Sequence, residues 1–251
     1  METQNTAVVR ELRNNVMYLR INRPEDNNRV NWEGSEILAK AYEDVINDPS
    51  IRAVVITGTG DYFHTGGRVN ADDPAEKERY SKALKLRNER LAQITVPVIA
   101  AVNGDCFAGG MSLLAQSDLA IACDTARFAY PEIKRGSFPV MAMVSTIDYI
   151  PKKKALAAFY TGEPFSAEEA LQMGLLNCVV PKEKLWETVE SYVEMILDKP
   201  QELISIGRNA YYNMSRLPMK ERREYGMTVL QDILVAQAKY EKLVAKPEAA
   251  R

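Results

Sequence analysis

AAVNGDCFAGGMSLLAQSDLAIA, residues Ala100 to Ala122, joins an apolar run to a glycine-rich turn, a short amphipathic stretch and a second apolar run. The first run begins at Val98 and reads Val-Ile-Ala-Ala-Val, a buried strand ending at the Gly104 turn. The second, Leu119 to Ala122, is another strand, and the residues between them suit a short helix. Two adjacent glycines, Gly109 and Gly110, stand where strand passes to helix, with Ser112 just beyond them. Glycine lets a ligand approach the main chain closely, so this junction is a candidate site as well as a fold marker.

The same theme recurs on either side. Upstream, Ala53-Val54-Val55-Ile56 is a buried strand running into Gly58 and Gly60, and a second glycine pair, Gly66-Gly67, follows Phe63-His64-Thr65. Helical spacing of apolar residues covers Ile37 to Ile46, and a long charged helix is expected from about Ala75 to Ile94. Nearer the start, Val8 to Leu12 and Val16 to Asn22 are strand-like, with Asn14-Asn15 suited to a hairpin turn between them. Strand, glycine turn and helix in repetition argue for an α/β architecture with ligands at the strand ends. Beyond about Lys182 the pattern is helical, with breaks near Lys199-Pro200 and Leu217-Pro218. The expected organisation is a core over residues 1–195 and a helical region over 196–251, of the kind that buries its apolar face on a partner subunit.

Bulk composition narrows the function. The 251 residues are 46% apolar and 26% charged with a net charge of −2, an ordinary globular balance with no field to attract nucleic acid. No apolar run approaches membrane-spanning length and the first residues lack a signal-peptide pattern, so no membrane association and a cytoplasmic location are expected. Cys106, Cys123 and Cys178 are too scattered for a disulfide framework or a zinc site, and reduced, packed thiols are expected. His64 is the sole histidine, which excludes a histidine-rich metal centre.

Several motifs compete for the chemistry. Gly58-Thr-Gly60 after a strand imitates a dinucleotide turn, but Phe63 stands where a third glycine belongs. Gly110-Met-Ser112-Leu-Leu114 imitates a nucleophile elbow without its closing glycine, and only His64 could serve as base. Ser112 is then a small polar group lining a pocket or capping a helix. Backbone N–H groups from the two glycine turns could converge on one carbonyl oxygen as an oxyanion hole, whereas ordinary turn chemistry explains most such pairs. Glu132, among apolar residues in Phe128 to Gly136, is either a general acid or base or a solvated carboxylate paired to Lys134 or Arg135. The cations Lys77, Arg79, Lys82, Lys85, Arg87 and Arg90 could meet phosphates, but interspersed acids favour a solvated helix face.

In combination these segments resemble the crotonase, or enoyl-CoA hydratase/isomerase, superfamily from about Val8 to Pro181. The landmarks are Ile21-Asn-Arg-Pro24, Ala53 to Gly58, Phe63-His-Thr-Gly66, Pro97 to Gly104, Ser117 to Ala122, Phe128 to Gly136 and Phe165 to Asn177. The resemblance implies a spiral of repeated ββα units, a C-terminal trimerisation region, and a coenzyme A thioester as substrate. No cofactor is implied beyond the coenzyme A carried by that substrate, and the expected assembly is a homotrimer or a dimer of trimers.

Carried over residue by residue, the resemblance puts the oxyanion-hole amides on Thr65 and Gly109 and one catalytic glutamate on Glu132. The other glutamate of the hydratases falls on Ser112. That departure points away from ordinary hydration and toward enoyl-CoA isomerase or lyase-like hydratase chemistry, with malonyl-CoA-type decarboxylation or acyl-CoA binding without catalysis as alternatives. His64, Gly66, Gly110, Tyr130 and Tyr225 are placed in the substrate pocket, Tyr225 by likeness to hydroxycinnamoyl-CoA hydratase-lyases, and Asn28 and Arg29 at the coenzyme A. Pro139-Val-Met-Ala-Met143 and Gly66-Gly67-Arg68 depart from the family pattern and would reshape the acyl pocket.

Overall fold

The computed structural model describes residues 6–244. Strands β1 (Val8–Arg13) and β2 (Val16–Ile21) form the expected antiparallel hairpin, from Val8 opposite Ile21 to Arg13 opposite Val16. Asn14 and Asn15 take φ of 50° and 64°. Positive φ at both central residues suits the twist of a two-residue hairpin, and asparagine tolerates it better than most residues. Helix α1 (Trp32–Asn47) starts at Asn31, whose side chain accepts from Gly34 N at 2.9 Å, and buries Leu38, Ala41, Tyr42 and Val45.

Three strand-strand pairs follow, each continuing into helix or a short helical turn. They are β3 (Ala53–Gly58) with β4 (Tyr62–His64), β5 (Val98–Val102) with β6 (Asp105–Phe107), and β7 (Leu119–Cys123) with β8 (Arg127–Ala129). After the first comes α2 (Pro74–Gln93), capped by Asp73, and after the second α3 (Gly109–Gln116). The third runs into a 3-10 turn at Pro131–Arg135, then α4 (Val140–Thr146) and α5 (Lys152–Thr161). Strand β9 (Phe165–Ser166), helix α6 (Ala167–Gln172) with a Ser166/Glu169 capping box, and β10 (Cys178–Val180) complete the turns of the spiral.

The two strands of each pair enter different sheets. One sheet has the order β1-β2-β3-β5-β7-β10, the other β4-β6-β8-β9. From β2 to β10 the larger sheet is parallel, and β4, β6 and β8 are parallel to one another. Every residue of β3 and β5 is buried, as near-continuous apolar runs in a covered parallel sheet should be. The chain changes sheet at Gly104, where an added Cβ would sit 1.9 Å from the Asp61 carbonyl oxygen, so only glycine fits the backbone crossing.

Helix α7 (Leu185–Leu197) packs Leu185, Val189 and Val193 on the larger sheet, and the expected domain limit at 195 falls in its last turn. Helices α8 (Gln201–Ser215) and α9 (Met219–Val244) follow the two sequence breaks. Asp118 pins α8 to the core: its carboxylate accepts from Val98 N at 2.7 Å, Arg208 Nε at 2.7 Å and Tyr212 OH at 2.5 Å. All three cysteines are free thiols, with Cys106 and Cys123 buried.

Candidate active site

Parallel neighbours end at the same edge, so the order β4-β6-β8 delivers three segments side by side. Thr65 follows β4, Gly109 follows β6, and Tyr130-Pro131-Glu132 follows β8. The ladder pairs His64 with Cys106, Cys106 with Phe128 and Phe107 with Ala129. Residues 65, 109 and 132, distant along the chain, thus leave adjacent strand ends.

The two glycine turns touch. A Cβ added at Gly66 would lie 3.1 Å from the Ala108 Cβ and 3.9 Å from Gly109 N, and one added at Gly110 would lie 2.0 Å from the His64 carbonyl oxygen. Gly66 has φ of 116°, a region L side chains rarely adopt. Its carbonyl accepts from Val30 N at 2.9 Å, and the Gly67 carbonyl accepts from Arg29 Nε and Nη2 at 3.1 and 2.9 Å. The first turn is thereby held from outside, while the Thr65 hydroxyl donates to Asn27 O at 2.6 Å. Gly109 opens α3, so its N–H has no intrahelical acceptor. Ala108, just before it, is held at φ 51°, ψ −116°. For a non-glycine residue that conformation costs about 1–3 kcal/mol and is most often found where backbone orientation matters.

Glu132 is half-buried, its Oε2 is buried without a hydrogen-bond partner, and burial pushes its pKa above the usual carboxylate value. The alternative of a solvated, paired glutamate does not hold, because Lys134 pairs with Glu163 at 2.8 Å and Glu132 forms no ion pair with any described residue. Tyr130 is fully buried against Phe159, ring centroids 4.7 Å apart, and its unpartnered phenol is shifted upward by burial. Ser112 lies inside α3 and is half-buried, which removes the capping alternative, since Ala108 holds the N-cap position.

Other expected pocket residues stand differently. Asn28 is fully buried, and its amide is spent on Arg23 N, Thr59 O and Tyr62 O at 2.9, 2.9 and 2.6 Å, a clamp on the loop ahead of α1. Tyr225 lies on α9, where its hydroxyl accepts from Asn213 Nδ2 of α8 at 2.9 Å, and no described contact brings it to Glu132. His64 is 2% exposed, with Nδ1 3.2 Å from Asn28 O and 3.3 Å from Gly66 N. Burial, then the nearby Arg87 charge, lower its pKa from 6.5 to about 3, so the folded protein holds it neutral.

That shift has a sign that can be tested. Between pH 6.5 and about 3 the unfolded chain binds a proton at His64 that the folded chain refuses. Stability therefore falls as pH drops, by up to about 1.4 kcal/mol per pH unit. The raised pKa of Glu132 opposes this, because there the folded state takes up the extra proton. Denaturant titrations of wild type and His64→Gln from pH 7 to 5 isolate the histidine, and the wild type should lose about 2 kcal/mol relative to the variant. Parallel stability curves would remove the buried-neutral assignment.

The expected solvated cation face of α2 does not hold for Arg87. Of the six cations on α2, Lys77, Arg79, Lys82 and Lys85 are exposed and Arg90 is half-buried, but Arg87 is 4% exposed. The spacing contained the signal: Tyr80, Ala83, Arg87 and Leu91 follow helical periodicity, which puts an arginine on the inward stripe. Among the described residues no cluster of three or more His, Cys, Asp or Glu side chains is placed to hold a metal, and no helix is long and apolar enough to cross a membrane.

The family model described as enoyl-CoA hydratase/isomerase matches residues 11–245. An (E)-benzylidenesuccinyl-CoA hydratase from Thauera aromatica is 34% identical over 193 residues, 75% of each chain. A mitochondrial enoyl-CoA hydratase domain-containing protein 3 from Xenopus laevis is 30% identical over 76% of this chain and 67% of its own. Among solved structures, an enoyl-CoA hydratase from Mycobacterium smegmatis superposes with a TM-score of 0.85 at 28% identity over 90% of both chains. With the paired-strand spiral and the three adjacent strand ends, these matches establish that the chain belongs to the enoyl-CoA hydratase/isomerase, or crotonase, family.

Proposed function

We propose that this protein polarises the carbonyl of an acyl-CoA thioester with the Thr65 and Gly109 amides and moves a proton with Glu132. The observation that carries the reading is the half-buried Glu132 carboxylate, unpartnered at Oε2, at the strand end next to the two touching turns. In the forward step the Cα–H bond breaks, its proton passes to Glu132, and its electron pair moves into the thioester carbonyl. Negative charge on that oxygen is met by two N–H donors, an arrangement that strengthens as charge develops. Returning the proton two carbons further along shifts a double bond, and adding or losing water across the chain is the hydratase or lyase alternative.

Ser112, in place of a second carboxylate, favours double-bond isomerisation or lyase-like hydration over simple hydration, because a serine cannot serve as the second base that activates water. Malonyl-CoA-type decarboxylation would use the same enolate. No cofactor beyond the substrate's coenzyme A enters this scheme. Incubation with a small panel of acyl-CoA thioesters in D2O, read by mass spectrometry, tests it whatever product follows. Deuterium at the α-carbon is expected; tight binding with no exchange would leave an acyl-CoA-binding protein without catalysis.

Self-association as a trimer or a dimer of trimers belongs to the same reading. Helix α9 exposes Met219, Met227, Leu230, Leu234 and Val235, more apolar surface than a free helix ordinarily shows water. Light scattering should give about three or six times the 28.2 kDa chain mass. A monomer at micromolar concentration would overturn this part.

A further inference from the structure

The turn that carries Thr65 has little in its own sequence to fix its shape, because the Gly66-Gly67 pair that follows has the most backbone freedom a chain can have. What fixes it is the segment Asn27 to Val30. Val30 N donates to Gly66 O and Arg68 N donates to Val30 O, each at 2.9 Å, and the Thr65 hydroxyl donates to Asn27 O at 2.6 Å. The Gly67 carbonyl is taken by a side chain: Nε and Nη2 of Arg29 both donate to it, at 3.1 and 2.9 Å. Two N–H groups of one planar guanidinium on one oxygen restrict the direction of that carbonyl more tightly than a single flexible donor could.

Arg29 is itself held. It is half-buried, its Nη1 lies 3.9 Å from Asp26 Oδ1, and Oδ2 of the same carboxylate lies 3.6 Å from Arg68 Nε. One aspartate thus faces both the arginine that grips the turn and the residue that ends it. Asp26 closes a 3-10 turn (Pro24–Asp26), and Asn27 and Asn28 after it take φ of 52° and 53°. The Asn28 amide ties this bend to Thr59 O and Tyr62 O, on either side of the β3-to-β4 turn. The fork therefore stands on a base fastened to the strands that lead into Thr65. The sequence resemblance puts Arg29 at the coenzyme A, yet two of its three guanidinium nitrogens are spent on Gly67.

We infer that Arg29 is a positioning residue, which by gripping the Gly67 carbonyl keeps the Thr65 N–H aimed at the thioester oxygen. That role rests on the acyl-CoA reading above and adds to it a residue that touches neither the substrate nor the reacting atoms. A donor aimed at developing charge is effective when it is aimed before the charge appears, and an error of about 1 Å can cost about 10²-fold in rate. Binding of the uncharged thioester draws on the rest of the molecule and depends little on that aim. Arg29 therefore governs turnover and leaves affinity alone.

The test compares wild type, Arg29→Met and Arg29→Lys for deuterium exchange at the α-carbon of an acyl-CoA that wild type accepts, with the affinity for the same thioester measured by calorimetry. Arg29→Met should lower the maximal exchange rate by about 10- to 100-fold, with affinity within about twofold of wild type. Arg29→Lys keeps the charge without the fork and should recover less than half of the wild-type rate. A coenzyme A phosphate contact gives the opposite split: Arg29→Met then weakens affinity, Arg29→Lys restores it and the maximal rate is kept, which overturns the positioning role. A lower melting temperature with rate and affinity unchanged marks a structural contact and overturns it as well. If Arg29→Met does not fold, Arg29→Lys decides, since a wild-type rate there shows that the fork is not needed. No exchange by wild type with any thioester defeats the acyl-CoA reading and this role with it, whereas wild-type exchange in Arg29→Met defeats the role alone.

Discussion

Glu132→Gln is expected to lower turnover of an accepted acyl-CoA by about 10²–10⁴-fold, the contribution of a positioned general acid or base, while leaving thioester affinity within about twofold. Glutamine keeps the shape and the hydrogen-bonding ends of the side chain but cannot take up a proton. The buried Oε2 has no protein partner to lose, so the fold should tolerate the change. Burial raises the pKa of Glu132, and the acid limb of the kcat/KM profile should therefore lie above the ordinary carboxylate range. Loss of deuterium exchange at the α-carbon with retained binding would identify Glu132 as the proton-transfer group. Unchanged turnover would refute its role.

Gly110→Ala should be nearly as damaging, for a reason of backbone shape. The new Cβ would lie 2.0 Å from the His64 carbonyl oxygen and 3.2 Å from the Cys106 sulfur. The first of these is main chain, so the turn itself must move by about 1 Å or more, and a misplacement of that size can cost about 10²-fold in rate. Loss of one oxyanion donor corresponds to about 3–4 kcal/mol of transition-state stabilisation. Turnover should fall by two to three orders of magnitude, with a lowered melting temperature. Gly207→Ala supplies the contrast: nothing lies within 4 Å of its added Cβ in α8, and replacing a mid-helix glycine should stabilise by about 0.5–1 kcal/mol. A Gly110→Ala enzyme with wild-type kinetics would dissociate the second turn from catalysis.

Much of this architecture is legible from residues close together in the chain. Runs such as Ala53 to Ile56 and Val98 to Val102 declare buried strands, Asn14-Asn15 declares a hairpin turn, and Ser166 with Glu169 declares a helix start, because each is decided by local backbone preference. Helix α2 was expected from Ala75 to Ile94 and runs from Pro74 to Gln93. The site was legible only in part. Glu132 and the two glycine turns stood out by composition, the roles of Thr65, Gly109 and Glu132 came only from the family resemblance, and no local preference says that three strand ends adjoin.

Arg87 is the clearest failure of local reading. Among five other cations on a charged helix it was taken for part of a solvated face, yet it alone is enclosed, because α1 packs over that stripe of α2. Asn28 was assigned to coenzyme A, and its amide is instead consumed by Arg23, Thr59 and Tyr62, partners up to 34 positions away.

The order of residues alone determined the strands, turns and helix starts, since periodicity, capping and glycine placement act over a few positions, and its motifs carried the family resemblance. Tertiary packing decided which carboxylate lost its partners, which histidine stays neutral and which arginine is enclosed. Those properties depend on desolvation and on charges brought together from distant parts of the chain, and neither exists until the sheets and helices have closed over them.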